Sequence, residues 1–168
     1  MRGIGLKKSV LLDFSGDWPE NLSIDTFLLS LSQEIRFSGQ TKNWSVLSHS
    51  ILCGRTAKRF TVSKNFIKYC YAHDLGEAIF RDIPTPFKVL VGLDSWNQAE
   101  KIVVDKLFTY YNIPRIEELT KQEVENFKII DECACNIEAQ HFFPSSLELI
   151  ERFPLIQSFA IFNMLDIF

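Results

Sequence analysis

The chain has 168 residues, 46% of them hydrophobic and 15 of them Phe, which is the size of one domain able to bury a substantial core. A formal net charge of -3 and a pI near 5.6 exclude a protein that works mainly by coating nucleic acid or anionic lipid, so an anionic ligand must be met by a local basic cluster. The four cysteines, Cys53, Cys70, Cys133 and Cys135, show neither C-x-x-C spacing nor a paired framework, and the chain opens without a charged-then-apolar leader, so a reducing cytoplasm is expected.

Ser9 to Phe14 is a short apolar run closed by Ser15-Gly16-Asp17 and Pro19, which predicts a strand or an extended lead-in. Ser23 is a good N-cap, and Ile24, Phe27, Leu28, Leu31 and Ile35 recur at helical spacing, so a first helix is expected over about 24–37. Gly39 can take the left-handed conformation that closes it, which puts Arg36 at a helix end beside a polar loop. Trp44-Ser45 opens a second helical pattern through Val46, Leu47, Ser50, Ile51 and Ala57, with His49 one turn in.

Thr61-Val62-Ser63 starts a third helix with Phe66, Ile67, Cys70 and Tyr71 inward and His73-Asp74 in its C-terminal half; Pro84 and Pro86 end it. In one continuous helix Glu77 would lie over the same patch as His73 and Asp74. Leu93-Asp94-Ser95 restarts a helix whose face is Ala99, Ile102, Val103, Lys106, Leu107 and Tyr110, up to a break at Asn112-Ile113-Pro114. Thr120 and Glu123 form a capping box for a long helix with Val124, Phe127, Ile130, Ala134 and Ile137 inward, and Asp131 falls inside that stripe.

Pro144 ends the long helix, and Ser145-Ser146 open a last one broken near Pro154. Phe153 to Phe168 is strongly apolar but holds Asn163 and Asp166 and falls short of the roughly 20 residues needed to cross a bilayer, so no membrane span is expected. That tail is expected to be buried, on the chain's own core or in a homo-oligomer. The expected architecture is all-α: a single domain over residues 1–168, five or more helices and at most a short N-terminal strand.

His49, His73, Asp74 and Asp131 together make a mixed nitrogen and oxygen set suited to a divalent transition metal, with positions left for water. Taken one at a time, each has a plainer reading: His49 as a hydrogen-bonded core histidine, Asp131 as the partner of a Lys or Arg. Arg36 can fork two phosphate oxygens, or simply complement a helix C-terminus. Trp44 can stack on a nucleobase, or act as a core residue at a helix start. Cys133 and Cys135 fall on different helix faces and do not form a metal claw.

The order H…HD…D, carried by Trp44-Ser45-Val46-Leu47-Ser48-His49-Ser50, Ala72-His73-Asp74-Leu75-Gly76-Glu77-Ala78, Asp82-Ile83-Pro84-Thr85-Pro86-Phe87-Lys88 and Ile130-Asp131-Glu132, resembles the HD-domain metal-dependent phosphohydrolases. With Arg36-Phe37-Ser38-Gly39 upstream, it is similar to the small branch of bacterial 5'-deoxynucleotidases and phage-encoded dATP triphosphohydrolases, over about residues 24–142. Ser48 stands where the family carries an acidic or amide residue, and the segment before the last ligand is short.

The resemblance implies an HD-type helical globule with His49, His73, Asp74 and Asp131 as ligands of a Co, Mn or Zn ion and Glu77 as a catalytic carboxylate. It implies that Asp82 lines the site and that Arg36 and Lys88 hold phosphate. The implied activity is hydrolysis of a purine deoxynucleoside triphosphate such as dATP to deoxynucleoside and triphosphate. Alternatives are a 5'-deoxynucleotidase acting on monophosphates and a non-catalytic nucleotide-binding or interaction protein on the same scaffold. A deoxynucleotide substrate, no nucleic-acid polymer, a homo-oligomer and a cytoplasmic setting, that of a host cell for a phage protein, complete the expectation.

Overall fold

The computed structural model describes residues 3–6, 10–13, 16–83 and 85–144, and these are predominantly helical, as the periodicity predicts. Among them, β1 (Gly3–Leu6) and β2 (Val10–Asp13) pair antiparallel in the register Gly3 with Asp13, and α1 (Asp25–Gln33), α2 (Val46–Phe60) and α3 (Lys64–Ala72) follow. After these come α4 (Glu77–Phe80), α5 (Thr85–Val91), α6 (Leu93–Tyr110), a 3-10 turn at Ile116–Glu118 and α7 (Lys121–Phe142). The helix expected after Pro144 and the apolar tail lie outside the described residues. Among the described residues no helix is long and apolar enough to cross a membrane.

The described residues group into two compact units: those of Met1–Leu47 and Asp74–Ile113 form one, those of Ser48–His73 and Pro114–Phe168 the other. In the first, β2 is the strand expected near residues 9–14, whereas β1 was hidden by Gly3 and Gly5, which are poor strand residues. Phe27 and Leu31 are the buried face of α1. Ile24 rather than Ser23 is the N-cap of α1 and offers no side-chain cap, while the Ser23 hydroxyl, one residue earlier, accepts the Asp25 N–H at 3.2 Å. Tyr111 packs edge-on against Phe27 with centroids 5.9 Å apart, and its hydroxyl donates to the Leu22 carbonyl at 3.1 Å. Those contacts fasten the entry to α1 onto the last turn of α6, while Ser30 Oγ donates to the Ala78 carbonyl at 2.9 Å and ties α1 to α4.

Two boundaries in this unit differ from expectation. α1 stops at Gln33 because Glu34 turns extended and the chain pairs with its own return: Arg36 N–H donates to Trp44 O at 3.1 Å, and Val46 N–H to Glu34 O at 2.9 Å. Arg36 therefore sits beyond the helix in an Ile35–Ser45 bridge, and Gly39 is left-handed (φ +83°) in the loop tip rather than at the helix end. The proline-rich stretch is helical from Thr85 onward, with Pro86 in the first turn, where a missing N–H costs nothing.

The second unit holds α2 from Ser48, α3 and α7. Its buried apolar side chains include Leu52, Cys53, Ala57, Phe66, Tyr69, Cys70, Ile130, Ala134 and Ile137; of the predicted stripes, Ile51, Ile67, Val124 and Phe127 are only half-buried, and Tyr71 is exposed where it was expected to be inward. An added Cβ at Gly54 would fall 2.3 Å from the Tyr71 ring, so the lack of a side chain there is what lets α2 and α3 approach. Tyr69 meets Phe127 edge-on at 4.8 Å and fastens α3 to α7. Ser63 caps α3 and the Thr120–Glu123 capping box opens α7, both as the sequence predicts.

The third predicted helix does not run on to the prolines. His73 is the C-cap of α3, a tight turn follows, and α4 restarts at Glu77, whose N–H donates to the Asp74 carbonyl at 2.9 Å. His73, Asp74 and Glu77 thus do not share one helix face. Gly76 is buried in that turn, where a Cβ would lie 2.6 Å from Val104 Cγ2. The division between the units falls on the same turn, with His73 in one and Asp74 in the other.

Candidate metal centre

Three helices of the second unit converge on one point. His49 from α2 is 1% exposed, and its Nε2 lies 2.9 Å from Oδ1 of Asp131 on α7. His73 at the end of α3 places Nε2 3.7 Å from the same oxygen. Cys53, one turn after His49 on α2, brings Sγ to 3.5 Å from His49 Nε2. One ligand atom from each of His49, Cys53, His73 and Asp131 lies within 4.8 Å of all the others, which makes a group that could hold a metal ion.

The outer atoms of both imidazoles are held. His73 Nδ1 donates to the Cys70 carbonyl at 2.9 Å, which sets the tautomer and leaves the Nε2 lone pair for the cluster. His49 Nδ1 meets Glu138 Oε1 at 2.7 Å, and Glu138, on α7, is wholly buried. A histidine that donates its outer N–H to a carboxylate or a carbonyl is the usual supporting arrangement around a metal.

Electrostatics makes the same point. With Nδ1–H directed to Glu138, a neutral His49 would turn its Nε2 lone pair onto a carboxylate oxygen, two acceptors face to face. Burial acts to lower the His49 pKa, but hydrogen bonds to Asp131, Cys53 and Glu138 outweigh it and hold the ring well above the ordinary histidine range. The space between His49 and Asp131 therefore favours positive charge. Nearby, burial is the main cause that pushes the Cys70 thiol up to about 12, which keeps it protonated.

Of the remaining expected residues, Asp74, Glu77, Asp82, Arg36 and Lys88 form a mixed-charge group within the first unit. Arg36 Nη1 stands 3.9 Å from Asp74 Oδ2, and Lys88 Nζ lies 3.3 Å from Glu100 Oε2. Glu77 Oε2 is buried and has no hydrogen-bond partner among the described residues. Burial, reinforced by the Asp74 and Asp82 carboxylates and only partly offset by Arg36 and Lys88, pushes the Glu77 pKa up to about 9. Asp82 is raised as well, mainly by burial. At neutral pH Glu77 is thus a protonated carboxyl, able to give a proton. Trp44 is half-buried, and its carbonyl takes the Arg36 N–H and the Thr41 hydroxyl.

His49, His73 and Asp131 are therefore brought together as donors, and Asp74 faces Arg36 in the other unit. Cys53 and Glu138 were missed by the sequence reading. The signal was there: Cys53 lies one turn from His49, and Glu138 lies two turns from Asp131 on the same buried stripe as Ala134. Of the Cys133–Cys135 pair, only Cys135 joins a candidate group, with His49 and Glu138, as expected for thiols on different faces. A scan against protein-family models finds none that matches the chain, and a search of curated proteins finds no match.

Proposed function

We propose that the protein is a metal-dependent phosphohydrolase of deoxynucleotides, with a purine deoxynucleoside triphosphate cleaved to deoxynucleoside and triphosphate as the leading reaction. The observation that carries the reading is the convergence of two imidazole nitrogens and a carboxylate oxygen, from residues far apart in the chain, each histidine supported at its second nitrogen. This donor set fits Co, Mn or Zn, and a bound divalent ion supplies Lewis acidity toward a phosphoryl oxygen and lowers the pKa of water. Arg36 binds phosphate through its planar guanidinium, exchanging Asp74 for substrate oxygens. Glu77, kept protonated by its surroundings, gives its proton to the leaving sugar oxygen. Asp82 keeps that proton on Glu77 by like-charge repulsion, and Trp44, beside Arg36 in backbone pairing, stacks on the base.

A second reading, a 5'-deoxynucleotidase acting on monophosphates, is favoured by one feature. Both cations assigned to phosphate already face carboxylates, Arg36 with Asp74 and Lys88 with Glu100, which suits a ligand of smaller charge.

The test is a hydrolysis screen of purified protein over deoxynucleoside mono- and triphosphates with Co, Mn or Zn, resolving phosphate from triphosphate. Triphosphate release supports the leading reaction, and phosphate from monophosphates alone supports the second. No metal-dependent turnover of either class, from a sample shown to hold the ion, rejects both. Glu77→Ala should lower kcat about 100- to 10,000-fold with KM nearly unchanged, whereas Arg36→Ala should raise KM, more so for the triphosphate.

A further inference from the structure

The metal reading leaves Cys53 unexplained. A cysteine buried beside an imidazole can be inert packing, and its neighbour Cys70 is of that kind, its thiol held protonated by burial. Cys53 differs in position. It shares a face of α2 with His49, its sulfur lies 3.5 Å from the very nitrogen that faces Asp131, and it is within reach of the donor atoms of His73 and Asp131. None of the four cysteines is in a disulfide.

We propose that Cys53 is a metal ligand, its thiolate completing a four-donor set with His49 Nε2, His73 Nε2 and an Asp131 oxygen, so that the centre takes a sulfur-tolerant ion such as zinc. The inference rests on the metal reading above and deepens it by naming a ligand and the class of ion.

Geometry supports this assignment. Zinc bonds of about 2.0–2.1 Å to nitrogen and about 2.3 Å to sulfur, arranged as a tetrahedron, give donor-to-donor edges of about 3.3–3.6 Å. The sulfur-to-nitrogen edge is 3.5 Å, and the two nitrogen-to-oxygen edges of 2.9 and 3.7 Å bracket that range. Charge supports it too. One thiolate and one carboxylate among the donors balance a divalent cation where His49 is 1% exposed and Cys53 is fully buried, and the buried Glu138 carboxylate beside them is met by the His49 Nδ1–H. Ligation breaks the S–H bond, and the proton leaves to solvent as the sulfur–metal bond forms. A hard ion such as magnesium, which prefers oxygen and retains its water, is excluded by the same set.

The proposal also identifies where water or a phosphoryl oxygen can enter. Four protein donors fill a tetrahedron, and a resting centre of that kind is closed. Asp131 is the most exposed of the three donors whose ion pairs define the cluster, its side chain 39% accessible against 1% for His49 and 7% for His73. Catalysis then needs Asp131 to yield or the coordination shell to expand.

The test uses the full chain loaded with cobalt(II) and with zinc. Cobalt-loaded wild type should show an intense near-ultraviolet sulfur-to-cobalt charge-transfer band beside its visible bands. Cys53→Ser should lose the charge-transfer band, while Cys135→Ser should keep it. X-ray absorption on the zinc-loaded wild type needs no variant and should show a sulfur scatterer at about 2.3 Å. An ion bound with nitrogen and oxygen scatterers alone overturns the assignment of Cys53 and leaves the metal reading standing, and a charge-transfer band that survives Cys53→Ser does the same. Failure of the protein to bind either ion overturns both.

Discussion

Glu138 Oε1 takes the Nδ1–H of His49 at 2.7 Å, in a place where neither side chain reaches solvent. A buried carboxylate has few reasons to be retained in a helix stripe otherwise made of Ile130, Ala134 and Ile137. Orienting the imidazole and raising its basicity toward a cation is one. Glu138→Gln should therefore weaken zinc binding by about 10- to 100-fold with helical content preserved, as read by competition against a chelating dye and by circular dichroism. Unchanged affinity would falsify the supporting role.

Metal binding should also appear as stability. An ion that binds only the native chain stabilises it by about 2.7 kcal/mol at a free concentration of one hundred times Kd. Thermal unfolding with and without zinc should show a clear rise in Tm for the wild type and none for His73→Ala. A His73→Ala protein that still gains the full shift would remove His73 from the centre.

A pH dependence follows from Glu77. Its folded pKa is raised to about 9 from 4.5, so between those limits the native state holds a proton that the unfolded chain has released. Stability contributed by that group is fully present below the unfolded value and declines as pH rises toward the folded one, at up to about 1.4 kcal/mol per pH unit for one proton. His49 and Asp82, both raised, act in the same direction. Glu77→Gln should flatten the fall in Tm between about pH 5 and pH 8. Parallel wild-type and variant curves would show that Glu77 titrates normally.

Gly54 offers a test of packing. A methyl group there would sit 2.3 Å from the ring of Tyr71, a ring carbon fixed to a helix rather than the far end of a flexible chain. Gly54→Ala should cost about 1–3 kcal/mol in urea unfolding, despite the better helix propensity of Ala. A stabilised Gly54→Ala would mean the ring moves aside freely.

Much of the helical frame was legible because its signals are local. The Thr120–Glu123 box, Ser63 at the start of α3 and the stripe Ile130, Ala134, Ile137 each act within a turn or two of chain. Where the outcome depended on distant residues, the reading slipped. α1 ends early because residues 34–36 pair with 44–46, a bridge that no helical period announces. α3 stops at Ala72 rather than at the prolines, and the buried Gly76 against Val104 was the available sign. That His49, His73 and Asp131 belong in one group was read from their order in the chain, while Cys53 and Glu138 looked like ordinary core and surface residues until α2 and α7 were placed side by side.

One surface carboxylate serves two helices. Glu123 closes the capping box of α7 through Oε2, while its Oε1 accepts from the hydroxyl of Ser63, which in turn caps α3 at Phe66 N–H. The Ser63 hydrogen bond and those to Thr120 hold the Glu123 pKa below the usual range, so its contribution is present above ordinary carboxylate pKa values and is lost as pH falls through the depressed one. The first turns of α3 and α7, remote in sequence, should therefore open as one event. In amide hydrogen exchange, Phe66 and Val124 should lose protection together on acidification, and Glu123→Ala should leave both less protected at neutral pH and no longer responsive to acid, so that a single proton loosens the starts of both helices that carry His73 and Asp131.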